Sequence, residues 1–414
     1  MRSSLKYIAI VSPWFPPASG GVSRHIFELS KAFSKIGLKV LVLTPLINNK
    51  SERILDKTLK EKFGIEVIRL NIPNYFKEII FSYKIYKKLK RLIGKGLIDA
   101  VHFSNESGLI FYMNRISLPS VTKIHGSWPY LSYRDYKNFV GREDYLTSKV
   151  FLTTLYIYAN SIHRITYMIA PALIVIRREV KLILERRFHI PSHKITVIPN
   201  GVNHEEFNIK LNEDRDAYLG RLCKELDMNL DSSKKIVLYV GDFSVLKGFH
   251  LLPLIIKKVL EKYKNVIFLI VGAYSEKNYY KGVKLLQKYG VLCPRNVKVL
   301  KFVPFEKMPM IYAVADVVIL PYVDEITNVH REAMAMGKPV VSFKLQDIPD
   351  TMHKRIALFA SRYNINEFAN YVVELLRDDD LVKHIGINAA RYSRIWNWRN
   401  VARATLEILE KQLR

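Results

Sequence analysis

Short apolar runs alternate with longer amphipathic stretches along the whole chain, and this alternation restricts the fold more than any other feature. Unbroken apolar strands that are each followed by a helix of about ten or more residues are typical of parallel sheets covered by helices on both faces. The sequence therefore predicts an α/β fold. The predicted strands are residues 7–12, 39–44, 100–103, 120–125, 172–176, 196–199, 236–240, 266–271, 297–302, 317–320 and 339–343.

The alternation stops once and then begins again. A polar, charged stretch with no strand pattern separates Ile198-Pro199-Asn200-Gly201 from Lys235 and a new strand. A chain of 414 residues also exceeds the size at which a single core stops growing, about 250–300 residues. We therefore predict two doubly wound domains, residues 1–203 and 204–390, and a C-terminal helix within 391–414 that returns to the first domain.

The chain is strongly basic, with 65 Lys+Arg against 38 Asp+Glu and a formal net charge of +27. Such an excess favours an anionic partner, and nucleic acid, an anionic membrane surface and a phosphorylated ligand would each satisfy it. The segment from Phe76 to Lys95 has apolar residues at mostly helical spacing with lysines between them. It reads either as a crossover helix or as a helix that lies on anionic lipid.

The cysteines and the apolar segments bear on the compartment. Cys223 and Cys293 have no paired spacing, so the sequence predicts neither a disulfide framework nor a zinc site. The most apolar long segment, 150–176, is interrupted by polar and charged residues, so no membrane-spanning helix is predicted. The apolar run near the N-terminus is shorter than a signal-peptide core and is read as a strand. These features predict a cytoplasmic protein.

In the predicted first domain, two features follow strands, at the edge where open α/β sheets bind their ligands. Gly20 and Gly21 lie between the first strand and a helix that begins at about Ser23, where backbone N–H groups can approach a phosphate. Their spacing does not match the G-x-G-x-x-G dinucleotide fingerprint. His125 stands at the carboxyl end of the fourth predicted strand, whereas His102 lies inside a strand and is predicted to be structural.

In the predicted second domain, Lys247 lies in the turn after a strand, where an ammonium group can neutralise a phosphate. Asp324 and Glu325 follow the strand at 317–320, and Glu332 lies on the short helix after them. If that helix reached Glu325, the two glutamates would share a face, because a separation of seven residues is about two helical turns. Glu332 stands next to apolar residues, where a carboxylate needs a hydroxyl or a cation as partner.

Taken in order, these landmarks resemble one known family, the retaining glycosyltransferases of family 4. This group has the GT-B fold, two doubly wound Rossmann-like domains facing a central cleft, and transfers sugars from nucleotide-sugar donors. The resemblance covers nearly the whole chain. The motifs that carry it are Pro16-Pro17 with Gly20-Gly21, His125-Gly126, Ile198-Pro199-Asn200-Gly201-Val202, Gly241 with Lys247-Gly248, Ile270-Val271-Gly272, and the run from Glu332 to Val341.

The resemblance implies roles at the reacting sugar. Gly20 and Gly21 would face the donor diphosphate or the sugar, and His125 would contact the transferred sugar near the reacting centre. An acid before the short helix would contact sugar hydroxyls. Asp324 has the family's spacing to the helix acid, whereas Glu325 has the family's residue type, so both are named as candidate catalytic residues.

The resemblance also implies roles in donor binding. Lys247 would bind the diphosphate and Glu332 would hold the ribose hydroxyls, with Thr327 at the start of the helix as a further donor-binding residue. The family often has arginine where this chain has Asp242, so another cation would have to assist Lys247. The Asp378-Asp379-Asp380 run is interpreted as a solvated turn between two late helices and not as a metal site, and we expect neither a metal nor a cofactor.

The function expected from the resemblance is retaining, metal-independent sugar transfer from a nucleotide sugar to an acceptor hydroxyl. The donor is expected to be a UDP- or GDP-sugar and the acceptor a glycan or a lipid-linked saccharide, at the cytoplasmic face of a membrane. No specific nucleic acid is expected. One rival is a basic nucleic-acid- or membrane-binding protein with a non-catalytic GT-B fold, and another is a nicotinamide-dependent oxidoreductase, against which the missing dinucleotide fingerprint counts.

Overall fold

The chain is represented by a computed structural model in which two compact units are resolved. One unit comprises Met1–Gly201 with Trp398–Arg414, and the other comprises Val202–Asn397. The structure describes residues 5–18, 20–47, 50–73, 77–125, 161–208, 215–245, 247–272, 276–301, 303–322, 326–344 and 350–413.

The first unit is built on a seven-stranded sheet in the order β3-β2-β1-β4-β5-β6-β7. Each pair of neighbouring strands is parallel, as in Tyr7 opposite Lys39 and Ile8 opposite Ala100. The strands are β1 (Tyr7–Val11), β2 (Lys39–Pro45), β3 (Glu66–Leu70), β4 (Ala100–Ser104), β5 (Ser120–Ile124), β6 (Leu173–Val175) and β7 (Ile195–Val197).

Helices cover both faces of this sheet, because successive residues of a strand point to opposite sides and both sides are apolar. Ile8 and Ile10 of β1 belong to one buried cluster, whereas Ala9 and Val11 belong to another. The helices are α1 (Gly21–Lys35), α2 (Lys50–Phe63), α3 (Lys77–Ile93), α4 (Leu109–Met113) and α5 (Arg178–Phe188), and residues 161–169 are also helical.

The second unit is built on a six-stranded parallel sheet in the order β10-β9-β8-β11-β12-β13. Its strands are β8 (Lys235–Val240), β9 (Val266–Val271), β10 (Val297–Val299), β11 (Val317–Leu320), β12 (Val340–Phe343) and β13 (Leu358–Ala360). Its helices are α6 (Arg215–Glu225), α7 (Leu252–Lys262), α8 (Glu276–Lys288), α9 (Met308–Val314), α10 (Asn328–Ala335), α11 (Ile365–Arg377) and α12 (Asp379–Ser393).

The last helix, α13 (Trp398–Glu410), belongs to the first unit and packs against α1. Trp398, Val401 and Leu409 are buried in the same cluster as the α1-facing side of the first sheet. The chain crosses between the units at Gly201/Val202 and again at Asn397/Trp398, whereas the sequence placed these boundaries at 203/204 and 390/391.

The α/β class and the two Rossmann-like sheets predicted from the sequence are confirmed, but two strands were missed. Both β3 and β13 lie at an edge of their sheet. β3 carries Glu66 and Arg69 and its residues are exposed or half-buried, so it has no apolar run. β13 has only three residues and lies within the short apolar run from Ile356 to Ala360, which the prediction passed over.

The basic segment between Phe76 and Lys95 forms α3, a crossover helix between β3 and β4. Phe81, Ile85 and Leu89 are buried in the core of the first unit, which confirms that an apolar stripe covers the sheet. Ile79 and Tyr83 remain 37% and 45% exposed beside the lysines. Within the described residues, no helix is long and apolar enough to cross a membrane.

Candidate functional site

The strand order of the second sheet marks one position for a ligand. β8 lies between β9 and β11, so the chain winds away from β8 in opposite directions on its two sides. In open α/β sheets such a switch point leaves a crevice at the carboxyl ends of the two central strands, and ligands bind there. The segments that follow β8 and β11 contain Lys247 and Thr327, two of the predicted donor-binding residues.

The turn after β8 is fixed by close contacts with the segment after β11. Gly248 has φ +65°, and a Cβ at this position would overlap the backbone carbonyl of Pro321, so only glycine fits. The Tyr239 hydroxyl donates to the carbonyl oxygens of Asp242 and Lys247, at 3.0 and 3.1 Å. The backbone that carries the lysine is therefore held against the switch point.

The Lys247 side chain is directed by an aromatic ring. Its ammonium nitrogen lies 4.7 Å from the centroid of the Tyr322 ring, a cation–π contact. The Tyr322 hydroxyl donates to the Val240 carbonyl, which fixes the ring. Among the acids that the structure describes, none lies within ion-pair distance of this ammonium group. An anion bound at the switch point would therefore find a positioned cation.

Helix α10 begins beside this lysine, and a histidine organises its first turn. The Thr327 backbone N–H donates to His330 Nδ1 at 3.1 Å, and the Thr327 side chain accepts from the His330 backbone in return, which makes a capping box. Because Nδ1 accepts, the ring proton must be on Nε2, which lies 3.2 Å from Ser342 Oγ. His330 therefore acts as a neutral ring.

Burial is the main cause of this neutral state. His330 is fully buried, and burial, followed by the charges of Arg331 and Lys247, lowers its pKa from 6.5 to about 3. The contribution of Lys247 and the contact between the His330 and Tyr322 rings, 5.4 Å between centroids, place the ammonium group near the start of α10. A helix N-terminus and a cation thus lie close together, which favours a phosphate.

Glu332 lies on the same helix and is 8% exposed. The buried hydroxyl of Tyr312 donates to its Oε2 at 2.9 Å. Burial and then the Glu332 carboxylate raise the Tyr312 pKa well above its usual value, so this hydroxyl stays protonated and continues to donate. The carboxylate is held in one orientation by a partner that the sequence did not reveal, since Tyr312 lies within an apolar run of α9.

The condition for one predicted relation is not met. Thr327 has extended backbone dihedrals and is the N-cap, so α10 begins at Asn328 and does not reach Glu325. The expectation that Glu325 and Glu332 share a helical face therefore does not apply. Asp324 and Glu325 themselves lie outside the described residues, and their proposed contact with sugar hydroxyls stays a prediction.

In the first unit, Gly20 and Gly21 stand at the start of α1, which begins at Gly21, two residues before the predicted start at about Ser23. Gly20 is the N-cap with φ +116°, a conformation that favours glycine, and as a glycine it has no side chain with which to cap the helix. The first turn carries no acidic residue. Ser23 in that turn is buried, and its hydroxyl has no hydrogen-bond partner among the residues described. Backbone N–H donors at this end are therefore available to an anion.

His125 directly follows β5 and is half-buried. Its Nε2 lies 3.3 Å from Ser104 Oγ, and its backbone N–H donates to Asn105 Oδ1 at 3.1 Å. Burial, followed by the charge of Lys123, lowers the pKa of His125 well below its usual value. The imidazole is therefore neutral near pH 7 and can form hydrogen bonds without carrying charge.

Two residues that the sequence reading passed over lie beneath His125. The ring of His25, on α1, is 4.6 Å from the His125 ring between centroids. Lys123 is fully buried in β5 and donates to the Ile198 carbonyl at 3.2 Å. A lysine inside a strand whose other residues are all uncharged is the signal that could have revealed this cluster. His102, predicted to be structural, is fully buried inside β4.

The described residues contain no group of three or more His, Cys, Asp or Glu side chains that could hold a metal ion. Each unit instead presents a helix N-terminus at the carboxyl edge of its sheet, and the second unit adds a positioned lysine and a buried carboxylate. Together with the strand orders, these features define an α/β protein with two Rossmann-like sheets.

Comparison with known proteins gives the family. Residues 19–206 match the family described as Glycosyltransferase Family 4, and residues 234–378 match Glycosyl transferases group 1. Together the two matches span most of the chain, which therefore belongs to the glycosyltransferases that these two families describe. This confirms the resemblance inferred from the sequence motifs.

Two curated relatives match over most of the chain. The uncharacterized glycosyltransferase MJ1607 of Methanocaldococcus jannaschii is 27% identical over 415 residues, which are 97% of this chain and 97% of that protein. The phosphatidylinositol N-acetylglucosaminyltransferase GPI3 subunit of Saccharomyces cerevisiae is 22% identical over 414 residues, 97% of this chain and 82% of that protein.

Solved structures show the same fold. Sucrose-phosphate synthase from Thermosynechococcus elongatus has a TM-score of 0.73 at 21% identity, with 99% of each chain covered. Anabaena Alr3699/HepE in complex with UDP-glucose has a TM-score of 0.69 at 16% identity, with 98% of this chain and 99% of that chain covered. At these identities the likeness supports the GT-B architecture alone.

Proposed function

We propose that this glycosyltransferase moves a sugar, with retention at the anomeric carbon, from a nucleotide sugar to an acceptor hydroxyl without a metal ion. One observation carries the proposal: the Lys247 ammonium group, which pairs with none of the described acids, lies near the N-terminus of α10, on which Glu332 is buried. A cation and a helix N-terminus suit a diphosphate, and a carboxylate suits ribose hydroxyls.

Within the second unit, Lys247 and the first turn of α10 would bind the diphosphate. Thr327 fixes that turn through its capping box with His330. Glu332 would accept hydrogen bonds from the ribose hydroxyls while Tyr312 holds its other contact in place. A buried carboxylate is stabilised by each hydrogen-bond donor that reaches it, so this arrangement favours a ligand with hydroxyl groups.

Within the first unit, His125 would contact the transferred sugar, and the N–H groups at Gly20 and Gly21 would contact the donor diphosphate or the sugar. A neutral imidazole can donate to or accept from a sugar hydroxyl, and burial keeps His125 neutral. Asp324 or Glu325 would contact further sugar hydroxyls.

The reaction breaks the bond between the anomeric carbon and the diphosphate oxygen and forms one from that carbon to the acceptor oxygen. The bonding electrons leave with the diphosphate, and the leaving diphosphate oxygen takes up the proton that the acceptor hydroxyl releases. Lys247 and the helix N-termini would stabilise the negative charge that develops on the leaving group. Positioned charges of this kind can supply a large part of a catalytic effect.

We take the donor to be a UDP- or GDP-sugar and the acceptor to be a glycan or a lipid-linked saccharide. HepE, a structure of the same fold, was solved with UDP-glucose, and the yeast relative is named for N-acetylglucosamine transfer to phosphatidylinositol. The proposed location is the cytoplasm, at the inner surface of a membrane.

The test is thermal stabilisation of the purified protein by UDP, GDP, ADP and NAD, each with chelator present. We expect UDP or GDP to raise the melting temperature, and Glu332→Gln to abolish that increase, because glutamine keeps the side-chain size but brings an amide group to the ribose. Asp380→Asn is the control, since this exposed acid lies in the first turn of α12. Stabilisation by NAD alone, or by none of the four, would contradict the proposal.

Membrane association is proposed for the exposed side of α3. Lys87 lies 4.6 Å from the Tyr83 ring centroid, and both neighbour the exposed Ile79 and Lys84. Lysines beside exposed apolar side chains suit an anionic lipid surface.

Vesicle co-sedimentation at low salt tests this surface. Lys84→Glu with Lys87→Glu should reduce binding to vesicles that contain phosphatidylserine. The control is Lys281→Glu with Lys284→Glu, which makes the same charge change on the exposed side of α8. An equal loss in both double variants would mean that net charge, and not α3, drives the association.

A further inference from the structure

Arg69 connects three separate segments of the first unit. It lies on the edge strand β3, and its side chain is 6% exposed. Nε donates to Asp56 Oδ2 at 2.8 Å, and Nη1 donates to Glu52 Oε1 at 2.7 Å. Nη2 donates both to Asp56 Oδ1 at 2.9 Å and to the Pro16 carbonyl at 2.8 Å. One planar group thus joins β3, α2 and the segment after β1.

The segment after β1 has two more fixed points. Phe15 is 1% exposed, and the Arg69 guanidinium carbon lies 5.8 Å from the centroid of its ring. The Ser12 hydroxyl accepts from the Trp14 backbone N–H at 3.1 Å and donates to the Trp14 carbonyl at 2.8 Å. The backbone from Ser12 to Pro16 is therefore held before it reaches Gly20.

The Arg69 guanidinium group supplies the hydrogen-bond donor for the Pro16 carbonyl. Two of its acceptor groups are carboxylates, which attract any buried cation, whereas the third is a neutral backbone carbonyl. A lysine ammonium is a compact charge that cannot span all three acceptors in the fixed geometry of an arginine. Only arginine can neutralise the acids of α2 and hold the Pro16 carbonyl at the same time.

We infer that Arg69 is a positioning residue for donor binding: through Pro16 it sets where the backbone N–H groups at Gly20 and Gly21 lie, and these N–H groups contact the terminal phosphate of the donor diphosphate. The inference rests on the proposed function. A second observation at the same helix end supports an anion there, since the buried Ser23 hydroxyl has no partner among the described residues.

Two substitutions separate the positioning role from stability. Arg69→Lys keeps the charge near Glu52 and Asp56 and loses the bond to Pro16. Asp56→Asn removes one charge of the same cluster and leaves the arginine bonded to Pro16. Both variants lose part of a buried ion pair, so both should melt at a lower temperature than wild type.

The measurement is the dissociation constant of UDP and of UMP for each protein by calorimetry, with GDP and GMP in their place if GDP is the stabilising nucleotide. Wild type should bind the diphosphate at least tenfold more tightly than the monophosphate. Arg69→Lys should lose most of this ratio with little change for the monophosphate, and Asp56→Asn should keep it. The monophosphate lacks the terminal phosphate, so its affinity serves as the internal control.

Three outcomes would overturn the inference. Equal binding of both nucleotides by wild type would show that the terminal phosphate has no contact of its own, while the proposed function would stand. An unchanged ratio in Arg69→Lys, or an equal loss in Asp56→Asn, would show that Arg69 acts only on stability. No nucleotide binding by wild type would remove the proposed function and this inference together.

Discussion

His330 should make the second unit sensitive to acid, and the size of the effect follows from its burial. In the unfolded chain the imidazole titrates near 6.5, whereas burial and then the charges of Arg331 and Lys247 lower its pKa to about 3 in the folded protein. Below pH 6.5 the unfolded state takes up a proton that the folded state does not. The stability contributed by the neutral ring is therefore complete above pH 6.5 and is lost as the pH falls towards 3.

A pH of 5 lies about 1.5 units below the unfolded pKa of 6.5. The stability lost through His330 at that pH is therefore about 2 kcal/mol. His330→Gln removes the titration and can keep the capping box, because glutamine at this position can accept from the N-cap N–H. Between pH 7.5 and pH 5, the free energy of unfolding of the variant should therefore fall by about 2 kcal/mol less than that of wild type.

The assay is urea unfolding followed by circular dichroism at several pH values, with the free energy of unfolding compared between the two proteins. Other buried histidines titrate in both proteins, so they cancel in the difference. Parallel pH dependences for wild type and His330→Gln would refute the assignment of a neutral, acid-sensitive ring at this position.

Two further predictions concern the same unit. Gly248→Ala should destabilise the protein by several kcal/mol more than Gly290→Ala, since both glycines have φ near +65° but only Gly248 would place its Cβ against the Pro321 carbonyl, and comparison of the two melting temperatures checks this. Tyr312→Phe should cost about 1–2 kcal/mol of stability and weaken nucleoside-diphosphate binding, because the Glu332 carboxylate loses a buried donor. Nucleotide affinity equal to that of wild type would contradict a role for Tyr312 in holding the carboxylate.

Much of the fold could be read from local patterns. β9 is an unbroken run of six buried apolar residues, and its predicted limits, 266–271, agree with the structure. The end of α10 was also predictable, because Gly337 has φ +62° where a helix commonly ends in glycine. The edge strand β3 escaped prediction because one face of an edge strand meets solvent and its charged residues interrupt the pattern.

The sequence by itself determined the class of fold, the family and the residues that stand at strand ends, because apolar periodicity and turn-forming glycines act over a few neighbouring positions. Tertiary structure alone decided which partners hold those residues. Tyr312 and Glu332 are 20 residues apart, and Arg69 and Pro16 are 53 apart. Such pairs meet only when the strand order of a sheet is set, and that order depends on the burial of whole faces, which no local stretch of sequence records.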